Sequence, residues 1–107
     1  MDLPDRVEAA LAKPKSDLTP ADLRLLVAQK VDLEDMVPRA LEVLHEHPLI
    51  EAQFFPGDLL KTLLEVPADY WSEDQASWSN LHSVLDRLDR TLKMIDETRA
   101  QFMKVAS

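Results

Sequence analysis

The sequence predicts an all-α protein: a single compact bundle of about five helices, closed by a long C-terminal helix. Three observations carry that expectation. Glycine occurs once, at Gly57, and asparagine once, at Asn80, so the tight turns of β-hairpins have almost no material. The prolines stand mainly where helices start or stop, and apolar residues recur every three or four positions instead of alternating. With 107 residues, 46% of them hydrophobic, the chain suits one domain over residues 1–107. Its core is expected at about 16–92, with a helical extension over 93–107.

Taken in order, residues 4–13 read as a short first helix with Asp2 as its cap and Val7, Ala10 and Leu11 on one face. Lys13-Pro14-Lys15-Ser16 breaks it. Thr19-Pro20-Ala21-Asp22 is a strong start: a capping hydroxyl, a proline at the first helical position, and an acid at the positive end of the dipole. Leu23, Leu26 and Val27 then point inward, and the helix should end near Lys30. Leu33, Met36, Val37, Ala40, Leu41 and Leu44 mark one face of a third helix, with Pro38 inside it. That proline is expected to end one turn and restart the next, kinking the helix near Met36–Val37. His45-Glu46-His47-Pro48 closes it.

Pro56-Gly57-Asp58 opens a fourth helix bearing Leu59, Leu60, Leu63 and Leu64, and residues 66–71 read as a turn or short helix. The last element carries Trp78, Leu81, Leu85, Leu88, Leu92 and Ile95 at alternating steps of three and four, with Phe102 resuming the register after Arg99. A helix of about 28 residues would run roughly 42 Å, longer than a compact domain of this size is wide. Core packing is expected over residues 78–95, and beyond it the helix projects or pairs with a second copy.

No catalytic constellation, cofactor site or metal site emerges. His45 and His47 lie two apart and would point away from each other on a helix, and His82 is alone. No serine stands in a Gly-x-Ser-x-Gly elbow and no glycine-rich loop could cradle phosphate. The absence of cysteine excludes a disulfide framework and suits a reducing cytosol. Without a signal-like N-terminus or an apolar run long enough to span a bilayer, the expectation is a cytoplasmic, soluble protein that is not an enzyme.

Charge is unevenly placed. Residues 1–30 carry five acids and five bases; residues 31–85 carry eleven acids against Arg39 and Lys61; residues 86–107 carry four acids and five bases. The net charge of −8 therefore sits in the middle segment, where it disfavours nucleic acid and anionic lipid and favours a basic protein partner. Phe55, Tyr70 and Trp71 lie in the same segment among Glu51, Asp58, Asp69, Glu73 and Asp74. Aromatic anchors inside an acidic rim suit an interface with such a partner, so these eight residues are the candidate partner-binding set.

Leu18-Thr19-Pro20-Ala21-Asp22-Leu23-Arg24-Leu25-Leu26-Val27 resembles the opening signature of contact-dependent growth inhibition immunity proteins. The proline-bearing third helix, the Phe54-Phe55-Pro56-Gly57-Asp58-Leu59-Leu60 element and the following Tyr70-Trp71 extend the resemblance over roughly residues 16–92. Ala28 and Asp32 depart from it, standing where such proteins often carry glycine. The resemblance implies a bacterial cytoplasmic antidote whose partner is the cognate toxin C-terminal domain, commonly a nuclease. The chain itself is expected to be a monomer or weak homodimer. It also implies structural roles for the motif residues: Gly57 permits a turn, Asp58 supports the fourth helix, and Arg24 pairs across the fold. The competing expectation is an acidic helical adaptor or regulatory protein that dimerises through its C-terminal helix.

Overall fold

The computed structural model describes residues 2–105, so the last two residues of the expected 93–107 extension lie outside the described part. Its helices are α1 (Leu3–Leu11), α2 (Pro20–Ala28), α3 (Leu33–Glu46), α4 (Asp58–Leu64), α5 (Ala68–Glu73) and α6 (Gln75–Val105), with one 3₁₀ turn at Lys15–Asp17. Among the described residues, extended pairing is limited to an isolated Glu51–Pro56 bridge. The count exceeds five because the stretch read as a turn or short helix at residues 66–71 gives α5, shifted to Ala68–Glu73.

The helix starts follow from local chemistry. Asp2 accepts from the Asp5 N–H at 3.0 Å to cap α1. Thr19 and Asp22 form a reciprocal capping box at the start of α2 (3.1 and 2.9 Å), with Pro20 in the first turn. Asp22 also binds Lys13 at 2.7 Å, which ties the segment after α1 to α2. Helix α2 ends in paired backbone bonds, Lys30 N–H to the Val27 carbonyl and Val31 N–H to the Leu26 carbonyl. This Schellman arrangement needs a left-handed residue, and Lys30 supplies it at φ 58°. Asp32 is left-handed too, at φ 51°, while Ala28 is ordinary helix.

Helix α3 differs from expectation at Pro38. It runs as one element from Leu33 to Glu46. Pro38 is exposed, so the proline forfeits one intrahelical bond on the solvent side. The opposite face buries Met36, Val37, Ala40, Leu41 and Leu44, and that packing holds the helix continuous. Helix α2 lies against α1, α3 and α4; α3 also meets α4 and α6; α5 packs on α6. Leu26, Met36, Val37, Leu44, Leu59 and Leu63 form the driest part of the core.

The last helix corrects the expectation of core packing over residues 78–95. Only Ser77, Leu81 and Val84 of α6 are buried, with Leu85 and Leu88 packed partly against the core. Trp78 is 51% exposed, and Leu92, Ile95 and Phe102 are 46%, 56% and 72% exposed. Helices of 6 to 14 residues cannot cover one of 31, which runs about 46 Å. The radius of gyration, 16.7 Å, accordingly exceeds the roughly 13 Å of a compact chain of this length, and the long dimension is 56 Å.

Candidate protein-binding surface

The loop between α3 and α4 is folded around one carboxylate. Asp58, 2% exposed at the start of α4, accepts from Ala52 N–H (2.7 Å), Gln53 N–H (2.9 Å) and Phe54 N–H (2.8 Å). Burial by itself would raise the carboxyl's pKa. The three backbone donors outweigh that and hold it below the usual aspartate range. Gly57 turns the chain into α4 at φ +86°; conformation sets this requirement, since an added Cβ would meet Leu49 only at an ordinary 3.5 Å. With its backbone engaged inside, the loop turns Phe54 and Phe55 outward, 60% and 45% exposed. The Arg24 guanidinium reaches from α2 to lie 4.7 Å over the Phe54 ring.

The second candidate region is α5. The Tyr70 hydroxyl donates to Asp74 Oδ2 at 2.6 Å and lies 3.3 Å from the Leu33 carbonyl. Burial first, and the Asp74 carboxylate second, push its pKa upward, so it remains a donor at physiological pH. The Trp71 indole donates to the Val66 carbonyl at 3.0 Å and meets Tyr70 edge-on at 5.4 Å. Asp74 caps α6 by accepting from the Ser77 N–H at 3.1 Å. The Tyr70 hydroxyl and then Ser77 hold its carboxyl below the usual range.

The eight candidate residues therefore separate into two groups. Asp58, Tyr70, Trp71 and Asp74 are engaged within the fold. Glu51 and Phe55, on the α3–α4 loop, and Asp69 and Glu73, on α5, present their side chains to solvent. Six acids, Glu34, Glu42, Glu46, Glu51, Asp69 and Glu73, are exposed and have no basic partner among the described residues. The remaining acids of the segment are differently placed: Asp35 is bracketed by Lys15 and Arg39, Asp32 lies 3.8 Å from Lys15, Glu65 pairs with Lys61, and Asp58 and Asp74 are engaged within the fold as above. Lys15 first, against a smaller cost of burial, keeps the Asp35 carboxyl low.

Glu42 and Glu46 were missed in the sequence. Like charges four apart on a helix destabilise it, and that spacing was the available signal. They line a cleft of about 380 Å³ with Lys15, Arg39 and Val43.

Among the described residues no cluster of histidines or acids could hold a metal ion, and no helix is long and apolar enough to cross a membrane. The surface offers unpaired acids on α3, the α3–α4 loop and α5, with Phe54 and Phe55 turned outward on that loop. A family model for CDI immunity proteins matches residues 1–81 of the 107, and the chain belongs to that family. Comparison with curated proteins and with solved structures gives no match. The family match ends at Leu81, inside α6 and three residues short of that helix's last buried side chain, Val84.

Proposed function

We propose that this chain is the cytoplasmic antidote to the C-terminal toxin domain of a contact-dependent growth inhibition effector, and that this toxin is a nuclease. Family membership supports the immunity role. The observation that carries the finer reading is the set of six exposed, unpaired acids in a segment whose balance is −9. A nuclease must hold a polyanion, so its own site is basic, and an acidic surface competes for it without any chemistry of its own. In this reading Glu51, Asp69 and Glu73 steer the encounter, and Phe55 supplies desolvated contact. Asp58, Tyr70, Trp71 and Asp74 act indirectly by fixing the loop and α5.

The test is co-purification with the toxin domain encoded by the adjacent reading frame, followed by a nucleic-acid degradation assay with and without this chain. A stable complex and suppressed degradation are expected. Degradation that proceeds unchanged at saturating antidote would remove the proposal, and suppression of a toxin that is not a nuclease would remove its finer half.

A further inference from the structure

We propose that the uncovered part of α6 is a docking surface for a second copy of this chain, which pairs with it antiparallel along residues 89–105. This proposal does not rest on toxin binding. Trp78, Leu81, Leu85, Leu88, Leu92, Ile95, Arg99 and Phe102 step by three and four without a break, the spacing of a coiled-coil seam. The first half of that seam packs on the chain's own bundle, through Leu81, Leu85 and Leu88. The second half packs on nothing among the described residues. Leu92, Ile95 and Phe102 are exposed there, and Ile95, Phe102 and Arg99 line a shallow apolar cleft of about 460 Å³.

Charge selects the occupant and its direction. The body carries −9 over residues 31–85, whereas residues 86–105 carry four acids and five bases. The projecting rod therefore offers a basic toxin little attraction and does not repel a copy of itself. A parallel pair would set the two acidic bodies side by side and Arg99 against its own equivalent. An antiparallel pair sends the bodies to opposite ends.

The register with Leu92 facing Phe102 of the second copy brings Arg99 level with that copy's Ile95 and beside its Asp96. Within one chain Arg99 meets Asp96 only loosely, at 3.7 Å with both side chains about 70% exposed. Pairing would thus form two cross-copy ion pairs at the seam's edge. In this register Val105 comes level with Asp89 of the second copy, just past Leu88, where the bundle ends. The register uses the rod over its length, about 25 Å.

The area sets the strength. Leu92, Ile95 and Phe102 on the seam, with Met103 and Val105 flanking it, expose on the order of 100 Å² each, giving about 1,000 Å² from two copies, the lower bound for a specific interface. A micromolar dimer is the expected result. Sedimentation equilibrium of the full chain, from micromolar to submillimolar concentration, should give a monomer–dimer transition. Ile95→Glu and Phe102→Glu should each raise the dissociation constant more than about tenfold while helix content is kept, because neither side chain touches the core. Asp96→Arg should weaken the dimer, and Asp96→Arg combined with Arg99→Asp should restore it to within about threefold, as the swapped pair still matches antiparallel. Monomer mass across the whole range overturns the proposal, as does a dimer indifferent to Phe102→Glu or a charge swap that fails to restore pairing. Loss of toxin-domain binding by a Phe102→Glu chain whose parent is monomeric would assign the surface to the toxin instead.

Discussion

Asp58 applies to a loop the chemistry that usually caps a helix: one carboxylate gathers three successive backbone N–H groups, here from residues 52–54. Asp58→Asn turns one acceptor oxygen into a donor that faces those N–H groups, and should cost about 2–4 kcal/mol in urea unfolding. Asp69→Asn, on the surface, should stay within about 0.5 kcal/mol. The acid dependence has a definite sign. Burial opposes ionisation of Asp58 and Asp22, but backbone donors at the first and Lys13 with Thr19 at the second still hold both carboxyls low; Asp35 and Asp74 are low as well. A carboxyl whose folded pKa lies below its unfolded value contributes stability that is complete above the unfolded value, near 3.8, and is lost as pH falls through the folded one. Stability should therefore be flat at neutral pH in these groups and fall away below about pH 4, with a shallower fall for Asp58→Asn. Urea titrations at several pH values check both the size and the slope.

Helix α6 is an element with two regimes. Up to Leu88 it completes the core, and beyond that its apolar seam is uncovered among the described residues. Leu81→Ala should cost about 2–4 kcal/mol and lower the melting temperature markedly. Ending the chain after Arg90 should cost less than about 1 kcal/mol, measured on monomer at low concentration. Comparable losses from both would mean that the rod supports the bundle. The same element explains what could be read in advance. Helix starts at α1 and α2 were legible because capping residues and prolines act over three or four positions, whose chemistry the sequence states outright. The limit of core packing on α6 was not legible, because a three-four seam looks the same whether its own bundle covers it or nothing does. Pro38 misled for a related reason: the penalty is local and visible, whereas the five buried side chains that outweigh it depend on α2, α4 and α6.

Across the whole molecule, charge and shape divide the labour. The acidic body should govern association with a basic partner, so Asp69→Lys together with Glu73→Lys should slow the association rate about tenfold at low salt and flatten its salt dependence. Stopped-flow mixing at two ionic strengths checks this, and unchanged rates would move the contact to another face, with Glu42 and Glu46 the next acids to reverse. The charge map was legible from the order of charged residues along the chain. Which acids were free was not, since the pairings of Asp35, Asp58 and Asp74 depend on side chains and backbone brought together only by folding. The loop held by Asp58 has a further consequence, for how such a protein could change its target. Because the loop is anchored from within by backbone groups, Gln53, Phe54 and Phe55 can be replaced without removing any of the three bonds to the carboxylate. Mutation can thus vary the outer tips while inheritance of the inner anchor keeps every variant folded, a division that lets an antidote follow a drifting toxin.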